Sequence, residues 1–141
     1  MPDGIDLILA DHRMVDELFA AFATTGDGSI VGKVIDALSA HDDAEHGAVY
    51  PFAERVLGTA AITKVLDRSA LAHSAVKKQI DHVKGLEGAP LSAAFKELQK
   101  LVTDHVKDEE KNLLPALRAG ATPTQLDILG SRILQAKQRG G

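Results

Sequence analysis

The chain has 141 residues, 45% of them apolar and 26% charged, with a formal net charge of -4. That length suits a single domain over residues 1–141 and is short for two. Lys and Arg are scattered among more numerous acids, which excludes the basic stripe of a nucleic-acid binder, and the lack of cysteine excludes disulfides, iron-sulfur clusters and thiolate chemistry.

The opening Met1-Pro2-Asp3-Gly4 has no basic region leading into an apolar run. No stretch approaches the roughly 18 apolar residues of a membrane span, so a cytoplasmic protein without membrane contact is expected. From Ile5 to Ala23, the residues Ile5, Ile8, Val15, Phe19 and Phe22 recur at helical spacing, and His12 falls on the same stripe. Thr24 to Ser29 is a loop by its turn residues. A second helix follows, with Val34, Leu38, His41, Glu45, Ala48 and Phe52 in register; Pro51 should kink it and Gly58 should end it.

Residues 59–68 could open the third helix or form a short separate one. Beyond them Leu66, His73, Val76, Ile80 and Val83 share a face, up to a loop marked by Gly85, Gly88 and Pro90. A fourth helix is predicted from about Leu91 to Ala119, with Phe95, Leu98, Val102, His105, Glu109, Leu113 and Ala116 inward. Thr122-Pro123-Thr124-Gln125 reads as a capping box with proline at the first helical position. The helix it opens, with Leu126, Leu129 and Ile133 on one face, should pack outside the bundle and fray from Lys137 onward. The expected class is all-α: an up-down-up-down four-helix bundle over about 5–119 and an additional C-terminal helix over about 122–137.

One pattern occurs twice. His12 precedes His41-x-x-x-Glu45 and Pro51, and His73 precedes His105-x-x-x-Glu109 and Pro115. Residues four apart on a helix share a face, so each His-x-x-x-Glu offers a nitrogen and an oxygen to one small volume. All six polar residues lie on stripes that their helices must bury. Left without partners in a core, such groups cost about 1 to 3 kcal/mol each when neutral and more when charged, against a total stability of about 5 to 15 kcal/mol. A ligand cage accounts for their placement; a buried hydrogen-bonded network is the structural alternative. Six ligands could saturate one octahedral ion, but the hairpin repeat favours two ions, with bridging carboxylates and two histidines on each. Imidazole and carboxylate suit iron, manganese or zinc.

These residues resemble the hemerythrin-like, or HHE cation-binding, family. Asp11-His12-Arg13, His41-x-x-x-Glu45 with Tyr50-Pro51, His73, and His105-Val-Lys-Asp-Glu109-Glu110 with Leu114-Pro115 match its motifs over roughly Ile5 to Arg118. Within the family, their order is most similar to that of the mycobacterial hemerythrin-like proteins. The resemblance implies a bundle around two iron ions joined by an oxo or hydroxo group, with His12, His41, His73 and His105 as terminal ligands and Glu45 and Glu109 as bridges. It implies reactions with hydrogen peroxide, dioxygen or nitric oxide, in a monomer or weak homodimer. Oxygen-carrying members have a further histidine where this chain has Lys77, and an aspartate where Glu110 stands. Relatives with the reduced ligand set are associated with peroxide removal. Disproportionation of hydrogen peroxide is therefore the expected activity, with no catalytic residue beyond the metal ligands. Reversible binding or sensing of dioxygen or nitric oxide, or a role in iron homeostasis, is the alternative.

Other polar residues carry weaker expectations. Tyr50, nine residues after His41, points away from the site on a regular helix and would supply a phenolate ligand only if Pro51 distorts the helix enough; an interhelical hydrogen bond is its ordinary role. His46 and His82 should be partly exposed. Asp11 and Asp104, each just before a ligand histidine, are placed either to orient an imidazole on a neighbouring helix or to stand solvated at the surface. Lys77, one turn after His73, should reach solvent near the mouth of the site.

Overall fold

Asp3 starts the first helix. Its carboxylate accepts the Asp6 backbone N–H at 2.9 Å, while the Asp6 side chain accepts the Asp3 N–H at 3.2 Å, satisfying two of the donors that a helix start leaves free. The computed structural model describes residues 2–140. Helix α1 runs Gly4–Thr25 and ends on Gly26, whose left-handed φ of 66° lets its N–H reach Phe22 O. Helix α2 covers Ser29–Ala44 and continues through a π-helical turn, Glu45–Val49, into α3, Tyr50–Leu57. Gly58, at φ 85°, makes the reversal into α4, Thr59–Val83.

Helix α5, Gly88–Asp108, passes through a second π-helical turn, Glu109–Leu113, into α6, Leu114–Gly120. Helix α7, Pro123–Gly140, starts on the expected capping box, with Gln125 N–H on Thr122 Oγ1 and Thr122 N–H on Gln125 Oε1. The described residues thus form a four-helix bundle, two of whose rods carry a π turn, plus a C-terminal helix; none of them is in a strand. Residues 59–68, left open by the sequence, belong to one continuous α4. No described helix is long and apolar enough to cross a membrane.

The two π turns have one cause. Proline has no N–H to give the carbonyl four residues back, and its ring crowds that carbonyl. A π turn widens the helix and shifts the bonding to i→i+5: the N–H of Tyr50 reaches Glu45 O, and that of Leu114 reaches Glu109 O. Pro51 and Pro115 follow directly. The kink expected at Pro51 is therefore an inserted residue, which sets the next segment back by about 100°. In the fourth rod this changes the inner stripe, so that Leu113, Leu114 and Leu117 are buried and Ala116 is only half-buried.

Apolar packing divides into two clusters. One gathers Ile5, Ile8, Val49, Phe52, Ile62, Leu113, Leu117, Leu129 and Ile133. The other gathers Val15, Phe19, Val34, Leu38, Phe95, Leu98 and Val102, with Phe95 stacked against Phe19 and Phe22 at centroid distances of 4.9 and 4.7 Å. The polar residues of the two hairpins lie between the clusters.

Helix α7 packs on α1, α2 and the first π turn. Leu126, Leu129 and Ile133 are buried there, each contributing about 1.5 to 3 kcal/mol. Close approach needs glycine: a Cβ on Gly4 would stand 2.5 Å from Leu129. The helix does not fray at Lys137, whose ammonium lies 2.6 Å from Asp11 Oδ1; Gly141, the last residue of the expected frayed end, lies outside the described residues.

Candidate metal centre

The six sequence-selected residues converge. His12 comes from α1, His41 from α2, Glu45 from the start of the first π turn, His73 from α4, His105 from α5 and Glu109 from the start of the second π turn. All are buried except His73, which is half-buried. Glu45 Oε1 lies 3.2 Å from His41 Nε2, 3.0 Å from His73 Nε2 and 3.5 Å from His105 Nε2. Glu109 reaches both sides: Oε1 is 3.3 Å from His12 Nε2, and Oε2 is 3.4 Å from His105 Nε2.

Two groups of mutually close donors result. Glu45, His73, His105 and Glu109 make one, His12, His41 and Glu109 the other, and Glu109 is common to both.

Carboxylates set three of the four imidazoles, while His105 Nδ1 is buried without a partner. His12 Nδ1 donates to Glu110 Oε2 at 2.7 Å, His41 Nδ1 donates to Asp11 Oδ2 at 2.9 Å, and His73 Nδ1 contacts Asp42 Oδ1. An ionised carboxylate can only accept, so Nδ1 carries the proton and Nε2 faces the interior. Of the two aspartates placed either to orient an imidazole or to stand solvated, Asp11 does the first. Asp104 does the second: it is exposed, because its position on α5 faces away from the bundle. Asp42 and Glu110 take the comparable roles instead.

Tyr50 makes the expected interhelical hydrogen bond, but not in the direction a regular helix gives it. It does not point away: its hydroxyl donates to Glu109 Oε2 at 3.0 Å and lies 2.9 Å from His73 Nε2. The π turn sets Tyr50 back by one residue, to the direction of a position eight after His41, and eight is a face-sharing interval where nine is not. Pro51 was the available signal. His46 and His82 are exposed as expected, but His46 Nε2 reaches within 3.2 Å of His73 Nδ1. Lys77 is exposed and lines a cavity of about 600 Å³ that opens between α2 and α4 and ends on His41, His73 and His105.

The electrostatics are those of a cage closed on itself. Burial lowers the His41 pKa, but the Glu45 carboxylate and the bond to Asp11 outweigh it and raise the imidazole to about 10. Burial raises Glu45, yet His41 and its other partners hold it well below the usual carboxylate range. Glu109 goes the other way: burial, then the neighbouring Glu45 charge, push it up. Burial and both glutamates likewise push the Tyr50 phenol up, so it stays protonated. For His73, burial is outweighed by Glu45 and Asp42, and the net shift is upward.

The donor set fits a metal. His12 Nε2, His41 Nε2, Glu45 Oε2 and Glu109 Oε1, all on residues of the two donor groups, are buried side-chain atoms without a hydrogen-bond partner. Leaving each unsatisfied costs about 1 to 3 kcal/mol, whereas a cation among them engages several at once. Imidazole with carboxylate is also the donor chemistry of non-haem iron, zinc and manganese sites.

Comparisons with known proteins bear on the fold and the family. The crystal structure of a hemerythrin HHE cation-binding domain-containing protein from Mycobacterium kansasii superposes with a TM-score of 0.84 over 99% of this chain and 88% of that one, at 16% identity. A protein of Nostoc sp. named a DNA nickase is 26% identical over a 142-position alignment that spans 95% of this chain and 39% of that protein. The family model described as hemerythrin HHE cation binding domain matches residues 3–117, a stretch that contains all six converging residues and both π turns. With that match across most of its length, the chain belongs to the hemerythrin HHE cation-binding domain family.

Proposed function

We propose that the chain is a dinuclear non-haem iron protein that disproportionates hydrogen peroxide, converting two peroxides into two waters and one dioxygen. The observation that carries this reading is the sharing of Glu109 by two donor groups, with Glu45 within reach of His41, His73 and His105. In it, His12 and His41 would hold one iron and His73 and His105 the other, with Glu45 and Glu109 shared between them. Bound iron would supply the reversible electron transfer that none of these side chains can provide.

The chain's own residues do the rest. Asp11, Asp42 and Glu110 fix the imidazoles of His41, His73 and His12 so that Nε2 faces inward, which holds that part of the site in shape before anything binds. Tyr50 keeps a proton at its hydroxyl, between His73 Nε2 and Glu109 Oε2, where an oxygen-bearing substrate would need a donor. The cavity between α2 and α4 admits a small polar molecule past Lys77 and Ser74, while Val15, Val76, Val102 and Val106 limit water around the histidines.

Iron-loaded protein is expected to hold close to two irons per chain and to evolve oxygen from peroxide in an oxygen-electrode assay. Glu45→Ala or His105→Ala should abolish both properties. Evolution no greater than that of free iron would end the reading. A stable, reversible spectral change under dioxygen or nitric oxide, without turnover, would assign a binding or sensing module. The nickase activity in the name of the Nostoc protein is not carried over: the match spans 39% of that protein, and this chain is acidic with dispersed Lys and Arg.

A further inference from the structure

We propose that Asp42, His46 and His73 form an outer site at the mouth of the cavity, which captures a divalent transition-metal ion before the buried centre is filled. Its role in filling that centre rests on the dinuclear reading above; the outer site itself does not.

One ligand atom from each of the three lies within 4.8 Å of the others. His46 Nε2 is 3.2 Å from His73 Nδ1 and 3.3 Å from Asp42 Oδ1, and the same Asp42 oxygen contacts His73 Nδ1. Two imidazoles and a carboxylate are a three-donor set suited to an ion that keeps water at its remaining positions. In contrast to the inner groups, this one is open, since the side chains of His46 and Asp42 are 52% and 48% exposed. It also joins the two walls of the cavity, with Asp42 on α2, His46 in the first π turn and His73 across the gap on α4.

Orientation of His73 explains Asp42 but not His46. The Asp42 carboxylate can accept an N–H from each ring, but the two imidazole nitrogens then face one another at 3.2 Å; a cation among the three engages them all. The surrounding charge permits this. Asp43 adds to Asp42, Lys84 lies 3.9 Å from Asp81, and Lys77 is the other cation on the cavity wall.

His73 gives the order of events. Its Nδ1 faces the outer group, and its Nε2 lies 3.0 Å from both Glu45 Oε1 and His105 Nε2 in the inner one. A neutral imidazole has one lone pair, so His73 serves one ion at a time. With the ion outside, Nε2 holds the ring proton; with the ion inside, that proton sits on Nδ1 and is donated to Asp42. The outer site therefore empties as the inner one fills.

The test uses metal-stripped full-length protein with Co²⁺ as the probe. His46→Ala alters none of the six inner residues. It should leave the final Co²⁺ content of the buried centre unchanged and slow its filling by about tenfold or more in a stopped-flow trace. In the Glu109→Gln protein, which loses the carboxylate common to both inner groups, one exchangeable Co²⁺ should still bind, and adding His46→Ala should weaken it by about tenfold or more. Equal filling rates with and without His46, or a Co²⁺ affinity of the Glu109→Gln protein indifferent to His46, overturn the outer site. Failure of the dinuclear reading looks different: the unaltered protein would hold no more than one ion, still dependent on His46, and the outer site would stand.

Discussion

The hydroxyl of Tyr50 lies 3.0 Å from Glu109 Oε2, joining the exit of the π turn in the second rod to the entrance of the π turn in the fourth. Glu109 is buried, so removing the donor leaves a carboxyl oxygen without that partner in a place water does not readily reach. Tyr50→Phe is expected to destabilise the metal-free protein by about 1 to 3 kcal/mol in urea unfolding, with helical content unchanged. A wild-type midpoint would show that the hydroxyl contributes nothing there.

Gly4 lets the start of α1 touch α7. An added Cβ would meet three Leu129 side-chain atoms at 2.5 to 2.9 Å, and Leu129 is 1% exposed, so it cannot swing aside. Gly4→Ala should lower stability by about 1 to 3 kcal/mol through overpacking, read as a fall in Tm. Gly32, which faces open space, should accept alanine without loss.

Lys137 lies beyond the family-matched residues yet acts on the site. Its ammonium holds Asp11 Oδ1 at 2.6 Å while Asp11 Oδ2 holds His41 Nδ1 at 2.9 Å. Lys137→Met should therefore speed loss of metal to a chelator by about tenfold or more, with Lys137→Arg restoring much of the retention. Identical release from the Met and Lys forms would show that α7 only packs.

The His41 shift gives a pH dependence with a definite sign. Its pKa rises from 6.5 unfolded to about 10 folded, so the native metal-free protein keeps a proton that the unfolded chain gives up. That contribution is complete below 6.5 and is lost as the pH climbs through about 10. The urea midpoint of metal-free protein should fall across this window. Metal must displace the same proton, so uptake at pH 8 should release about one proton from His41, measurable by calorimetry in buffers of different ionisation enthalpy. Asp11 acts at the other end: held below its ordinary value against burial by His41 and Lys137, it withdraws its contribution only in acid.

The helices, their order and the six converging residues were legible in the sequence because local geometry settles them. A histidine or glutamate at the interval of an apolar stripe has one face to occupy, and two hairpins repeating the spacing place their polar residues at one level. The cap at Thr122 and the stop at Gly58 are equally local, since each follows from the hydrogen-bonding or φ freedom of a single residue. Tyr50, Asp42, Glu110 and Lys137 were not assigned their places, for two reasons. A π turn changes the phase of every residue after it, so counting at a fixed 3.6 residues per turn misplaced Tyr50 although Pro51 marked the spot. The partners of Asp42, Glu110 and Lys137 lie on other helices, 31, 98 and 126 residues away in the chain, where rotation and axial offset decide who meets whom. Spacing along one helix determines which residues face inward; only the packing of helices against one another determines which imidazole each carboxylate holds.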